Sequence, residues 1–165
     1  MWVVGDRQQR PNLPVSSCPF CPGGLEAPEP YEVRWFPNRW PPLPDGRAEV
    51  VLHTPDHGSA LWQLGTAGTR KVIDLWAERT AALGRRPDVA YVLVFENRGA
   101  AVGATVEHPH SQIYALDRIP PAVQREIDQQ AGTADAAFAP TAPGADGERL
   151  VASAGGWRAW VPHAA

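Results

Sequence analysis

Proline sets the strongest constraint on how this chain can fold. The sequence contains 18 prolines, many of them in the first 45 residues, in stretches such as "PNRWPPLPDG". Proline removes a backbone hydrogen-bond donor and restricts the residue before it, so this region resists helix formation. The same region carries Trp35, Phe36 and Trp40, whose large side chains need burial. We therefore predict an ordered, extended segment here and not a disordered linker.

Length and charge narrow the class of protein. The 165 residues fit one domain over 1–165 with a core of its own. A formal net charge of -3 and a pI near 5.9 argue against nucleic acid or an anionic membrane surface as the main partner. No apolar run approaches the roughly 20 residues of a membrane-spanning helix. The start, "MWVVGDRQQRP", lacks the apolar core of a signal peptide, so we expect a cytoplasmic protein.

Alternating and continuous apolar runs predict several strands. They lie at 2–4, 33–36, 47–54, 89–97 and 111–116, and the last two are expected to pair across a Gly-rich connection. A closing hairpin is predicted in "RLVASAGGWRAWVP". The pattern favours an α+β fold, a mostly antiparallel sheet with helices packed on it.

Apolar residues at helical spacing predict two helices. The first is "TAGTRKVIDLWAERTAALG", with Thr66 as a possible N-cap and Gly84 as the helix-ending glycine. The second is "PAVQREIDQQAG", with Pro121 in its first turn. Residues 131–148 are poor in large apolar side chains and are predicted to form a mobile loop.

The segment "HPHSQ", residues 108–112, is the clearest candidate for chemistry. In an extended segment His108, His110 and Gln112 share one face, and Pro109 favours that geometry at His108. A neutral imidazole can attack a phosphoryl centre and form a covalent intermediate, while an amide N–H stabilises charge on a phosphate oxygen. The upstream "NRGAAVGAT" adds backbone donors close to where a phosphate would lie. The alternative is that one or both histidines are structural.

The two cysteines form a second candidate site. "CPFC" places Cys18 and Cys21 at the spacing of a zinc half-site, which needs two more ligands. The available histidines are His53, His57, His108, His110 and His163. A redox pair is the alternative, but no thioredoxin-like βαβ context surrounds the cysteines. We therefore favour a structural zinc site over a redox pair.

Five motifs together carry a resemblance to a known family. "CPFCPGG", "FPNRWPPL", "TPDH", "FENRGAAVG" and "HPHSQIYA" occur in this order, and the chain resembles the amino-terminal half of the galactose-1-phosphate uridylyltransferases, in the histidine-triad superfamily. The resemblance covers nearly the whole chain. It implies a histidine-triad-like antiparallel sheet with packed helices.

The resemblance also implies roles for individual residues. His110 matches the nucleophile that takes the uridylyl group, and Gln112 matches the residue that hydrogen-bonds the phosphoryl oxygens. The positions that match zinc ligands are Cys18, Cys21, His57 and His108. The positions that match substrate contacts are Arg7 and Arg10 near the diphosphate, Asn97 and Thr105 around the phosphates, and Phe20, Asn38, Arg39 and Trp40 in the uridine pocket.

The reaction implied is a two-step transfer from UDP-glucose to galactose 1-phosphate, with UDP-galactose as product. Family members continue into a related second half, which contributes to the substrate site across a dimer and binds a second metal, often iron. Here the sequence ends before that half and also lacks a strand at its start, so we expect a shortened chain without the second metal. Glu126 then becomes an ordinary helix-surface carboxylate, and a homodimer is possible. Two alternatives remain open: a zinc-binding module that binds nucleotide without turnover, and an ADP-sugar phosphorylase or adenylyltransferase.

Overall fold

The computed structural model describes residues 18–102, 104–131, 149–155 and 157–161. The strands are β1 Arg34–Pro37, β2 Ala48–Leu52, β3 Tyr91–Phe95, β4 His110–Leu116, β5 Leu150–Ala154 and β6 Trp157–Trp160. The helices are α1 Gly65–Gly84 and α2 Pro121–Ala131, with 3-10 turns at Leu61–Gln63 and Ala100–Val102. The predicted α+β class is confirmed. The strand predicted at 2–4 and nearly all of the loop predicted at 131–148 lie outside the described residues.

The chain divides after Ile119 into two compact units. The prediction of one domain over 1–165 stays a prediction. In the first unit four antiparallel strands form a sheet in the order β1-β2-β4-β3. The predicted pairing of β3 with β4 across the Gly-rich connection is therefore confirmed, and β2 and β4 lie at the centre of the sheet.

Each face of this sheet has its own core. On one face Val51, Ile113 and Ala115 pack with Leu83 of α1. On the other face Val50 and Leu52 pack with residues before β1, among them Phe20. In β4 the burial alternates, so that Ser111, Ile113 and Ala115 are buried toward the helix while His110 and Gln112 stay half-buried on the opposite face.

An ion pair explains the charged residue inside the buried strand β2. Glu49 is 4% exposed, and Arg79 of α1 donates to both of its carboxylate oxygens, at 2.8 and 3.0 Å. The guanidinium also lies 3.5 Å from the ring centroid of Trp35 on β1. This bidentate, largely desolvated ion pair fixes α1 against the sheet.

The start of α1 differs from the prediction, whereas the helix ends at Gly84 as predicted. The helix begins at Gly65, and Leu64 occupies the N-cap without a side-chain cap bond, so the prediction of Thr66 as the cap is wrong. Gly84 is the last helical residue, and Arg85 follows in right-handed geometry. The helix therefore ends without the left-handed glycine that the sequence suggested.

The second unit contains α2 and the hairpin of β5 and β6. The predicted hairpin is confirmed, with Leu150 opposite Trp160 and Ala154 opposite Trp157. Glu126 is exposed on α2, in line with a helix-surface carboxylate. Among the residues that the structure describes, no helix is both long and apolar enough to cross a membrane.

Candidate metal centre and neighbouring histidine

Cys18 and Cys21 lie in a tight turn that depends on the two glycines after it. The Phe20 N–H donates to the Cys18 sulfur at 3.4 Å, and the Gly24 N–H donates to the Cys21 oxygen at 2.8 Å. A Cβ at Gly24 would lie 2.7–2.8 Å from three main-chain oxygens, so the turn requires glycine there. The preceding Gly23 has a φ of +84°, which glycine adopts without strain.

Two histidines complete a set of four ligands with these cysteines. The ligand atoms of Cys18, Cys21, His57 and His108 all lie within 4.8 Å of one another. The Cys21 sulfur is 3.5 Å from Nδ1 of His57 and 3.5 Å from Nδ1 of His108. Tetrahedral zinc, with its usual bond lengths to sulfur and nitrogen, separates such atoms by about 3.5–3.6 Å. The four residues can therefore supply the ligands of a metal ion.

The hydrogen bonds of His108 leave Nδ1, the ring nitrogen that faces the Cys21 sulfur, available to bind a metal. Its Nε2 lies 2.8 Å from the Thr54 carbonyl oxygen, which can only accept, so Nε2 carries the proton and Nδ1 faces Cys21 unprotonated. Burial lowers the pKa of His108 and so favours the neutral ring. The pKa of Cys21 is raised, first by burial and then by Cys18, so metal binding would displace thiol protons.

His110 is the first residue of β4, on the half-buried face. Its Nδ1 lies 2.7 Å from the His108 main-chain oxygen. Because that oxygen only accepts, Nδ1 is protonated and the lone pair is left on Nε2. The ring of Phe20 packs edge-on against His110, with centroids 5.1 Å apart. In its neutral form this ring would present a nucleophilic nitrogen beside the cysteine turn.

Gln112 follows on the same face of β4, as predicted. Its Oε1 accepts a hydrogen bond of 3.0 Å from the Tyr114 hydroxyl. The amide N–H groups are then directed away from Tyr114 and remain for another acceptor. The strand prediction for 108–112 needs one correction, because β4 begins only at His110. Pro109 lacks an N–H, and its oxygen accepts from the His53 N–H at 3.1 Å. His108 therefore lies just before the first residue of β4.

Other predicted site residues are distributed around this centre. The Asn38 side chain accepts from the Trp40 N–H at 2.9 Å, and Arg39 pairs with Glu26 of the cysteine turn at 2.6 Å. This pair joins the predicted uridine-pocket segment to the loop that carries Phe20. The phosphate candidates Asn97 and Thr105 are exposed on the loop from β3 to β4. Arg7 and Arg10 lie outside the described residues.

The structure adds three residues near the site to which the sequence analysis gave no role of their own. Tyr31, which lies in none of the quoted motifs, and Thr54, the first residue of "TPDH", both contact His108. His53, 2% exposed, has both ring nitrogens buried and without a hydrogen-bond partner in the described part of the chain. Its ring packs edge-on against Trp76 at 5.7 Å. Burial, followed by the charges of His110, His108 and Arg98, lowers the pKa of His53 to about 4.

Comparisons with known proteins agree with the motif resemblance. A family model described as galactose-1-phosphate uridyl transferase, N-terminal domain, matches residues 41–120. The galactose-1-phosphate uridylyltransferase of Streptomyces lividans is 37% identical over 167 residues, covering 92% of this chain and 46% of the relative. The ADP-glucose phosphorylase of Arabidopsis thaliana is 30% identical over 158 residues, covering 77% of this chain and 44% of the relative.

A solved uridylyltransferase structure is also similar. It superposes with a TM-score of 0.78 at 28% identity, over 91% of this chain and 55% of the other. The fold predicted from the resemblance is therefore confirmed. The chain spans about half the length of the curated relatives it matches.

Proposed function

Because the chain belongs to the galactose-1-phosphate uridylyltransferase family, as its amino-terminal domain, we propose that it moves a uridylyl group from UDP-glucose to galactose 1-phosphate. His110 is the nucleophile, and a covalent uridylyl-histidine links the two half-reactions. The observation that carries the proposal is the bond from Nδ1 of His110 to the His108 oxygen at 2.7 Å. It leaves Nε2 with a lone pair while the other nitrogen keeps its proton.

In the first half-reaction Nε2 of His110 attacks the α-phosphorus of UDP-glucose. The nitrogen–phosphorus bond forms as the bond from phosphorus to the glucose 1-phosphate oxygen breaks, and glucose 1-phosphate leaves with the electron pair. The ring becomes cationic at this step, and the His108 carbonyl that accepts from Nδ1 stabilises that charge. In the second half-reaction a phosphate oxygen of galactose 1-phosphate attacks the same phosphorus, and the electron pair returns to Nε2.

Gln112 stabilises the transferring group in this scheme. Its oxygen is held by Tyr114, so its N–H groups are the part of the amide that meets a phosphoryl oxygen. A donor placed where charge develops contributes more to the rate than to ground-state binding. Asn97 and Thr105 would add donors from the neighbouring loop, and Arg7 and Arg10 would bind the diphosphate.

The metal in this proposal is zinc in a structural role. Two thiolates and two imidazoles, with no fifth donor needed, form the closed type of site that zinc occupies in proteins. Cys18, Cys21, His57 and His108 would hold it. When bound, it fixes the cysteine turn to the entrance of β4, so that Phe20 keeps its position against His110. The uridine pocket is assigned to Phe20 and to the segment Asn38, Arg39 and Trp40.

One relative favours a second candidate function. ADP-glucose phosphorylase of Arabidopsis thaliana is 30% identical to the chain, so the nucleotide taken by His110 can also be an adenylyl group. A third candidate is a zinc-binding module that binds nucleotide without turnover. A homodimer remains a prediction of the resemblance.

Intact mass after incubation with UDP-glucose tests the proposal. The zinc-loaded chain is expected to gain one uridylyl group, and added galactose 1-phosphate is expected to remove it with release of UDP-galactose. His110→Asn, which keeps a polar side chain of similar size, is the control and should gain nothing. Labelling by ADP-glucose alone would favour the adenylyl reaction. Labelling that galactose 1-phosphate cannot remove would favour the module without turnover, and no labelling by either sugar nucleotide would overturn His110 as a nucleophile in this chain.

A further inference from the structure

The hydroxyl group of Tyr31 lies where three segments of the candidate metal centre meet. It is 2.6 Å from the main-chain oxygen of Phe20, 3.0 Å from that of Thr54 and 2.9 Å from Nε2 of His108. Phe20 stands between the two cysteines, and Thr54 follows β2 at the start of the loop that leads to His57. One hydroxyl group therefore touches every segment that supplies a ligand.

The direction of these bonds follows from the chemistry of the groups. Carbonyl oxygens only accept, so the single Tyr31 proton goes to a main-chain oxygen, and Phe20 at 2.6 Å is the closer of the two. The His108 proton on Nε2 lies between the Thr54 oxygen at 2.8 Å and the Tyr31 oxygen at 2.9 Å. Tyr31 thus accepts from the ligand histidine and donates to the cysteine turn.

We propose that Tyr31 is a positioning residue of the metal centre. Its hydroxyl group keeps the proton of His108 on Nε2, so that Nδ1 is available for the metal, and holds the Phe20 carbonyl so that the two thiols face that nitrogen. Groups of this kind set the tautomer and orientation of a metal ligand and raise affinity by pre-ordering it. The inference rests on the metal site of the proposed function and is independent of the uridylyl transfer.

Removal of the hydroxyl group alone tests this role. Tyr31→Phe is expected to raise the dissociation constant for zinc roughly 10- to 100-fold, the range seen when partners of metal ligands are removed, in competition with a chromophoric chelator. Tyr91→Phe is the matched control, because it loses the same group at the far end of β3, and its affinity should equal that of the unaltered chain. Equal affinities for Tyr31→Phe and Tyr91→Phe would overturn the inference.

Two further readings separate positioning from plain stability. A purely structural role would lower the melting temperature of the zinc-free and zinc-loaded forms alike and leave the zinc-induced rise unchanged, whereas positioning makes that rise smaller. In chain folded with excess cobalt(II), the visible absorption bands should shift in Tyr31→Phe, and unchanged bands would count against the role. If the unaltered chain binds neither metal, the metal site and the inference fail together; if it binds both and Tyr31→Phe binds them equally, only the inference fails.

Discussion

The phenol hydroxyl of Tyr114 donates a hydrogen bond of 3.0 Å to the side-chain oxygen of Gln112, two residues earlier on the same face of β4. Tyr114 is held in turn by edge-on packing against Phe95, with centroids 4.8 Å apart. An amide can rotate to present either its oxygen or its nitrogen, and only the nitrogen stabilises a phosphoryl oxygen. In the proposed reaction the hydrogen bond from Tyr114 would therefore hold the amide so that its N–H groups can meet a phosphoryl oxygen.

Tyr114→Phe is expected to slow uridylylation of His110 by roughly tenfold, while Gln112→Ala, which removes the donor itself, should cost on the order of 100-fold or more. Single-turnover labelling by UDP-glucose measures both. The double variant should be no slower than Gln112→Ala, because Tyr114 acts through that amide. Additive losses in the double variant would show that Tyr114 acts on the reaction independently of Gln112.

Gly24→Ala is expected to destabilise the cysteine turn. The new methyl group would lie 2.7–2.8 Å from the main-chain oxygens of Cys18, Pro19 and Cys21, and backbone cannot give way as a flexible side chain does. We expect a loss of about 1–3 kcal/mol, together with weaker metal binding. Gly84→Ala is the matched control, since its nearest neighbour would be Val92 at 4.0 Å. Urea denaturation should show that variant to be neutral or slightly more stable, and equal losses in the two variants would contradict the crowding argument.

The bidentate pair between Arg79 and Glu49 should contribute strongly to stability when either partner is lost. Arg79→Met leaves a carboxylate that is 5% exposed without its cation, and we expect a loss of about 3–5 kcal/mol in urea denaturation. The double variant Glu49→Leu with Arg79→Met should recover most of it, because no charge remains buried. Arg70→Met breaks an exposed pair with Asp74 on the same helix and should cost less than about 1 kcal/mol. A similar loss for both arginines would argue against burial as the cause.

The sequence predicted the structure correctly where the spacing of apolar residues along one segment was sufficient. The alternation in β4 predicted that His110 and Gln112 share a face, and the run in 47–54 predicted the buried strand β2. Spacing did not choose between His53 and His57 as a metal ligand, because the direction of each side chain depends on where β2 stops. β2 ends at Leu52. His53, the next residue, bonds the Pro109 oxygen through its N–H and packs its ring against Trp76 of α1, while His57 lies beyond the strand and reaches the Cys21 sulfur.

Tyr31 shows a second limit of prediction from the sequence. Its contacts join residues 11, 23 and 77 positions away along the chain, and no local pattern encodes such a meeting. The missed cap at Thr66 has a local cause, because Gly65, with a φ of +63°, is already helical and the N-cap lies two residues earlier, at Leu64. Contacts between distant segments and exact helix ends therefore needed the structure.

Protonation of His53 should make the stability of the chain depend on pH. Its pKa is about 4 in the folded chain against 6.5 ordinarily, so between these values the unfolded chain binds the extra proton, and stability falls as pH falls from about 6.5 to 4. Uptake of one such proton changes the free energy of unfolding by about 1.4 kcal/mol per pH unit, and the whole pKa shift corresponds to about 3 kcal/mol. His53→Leu, of similar volume, should show a correspondingly flatter profile in urea denaturation across this range. Both proteins keep the same four metal ligands, so acid-driven metal loss cancels in the comparison, and parallel profiles would exclude His53 as the group that titrates.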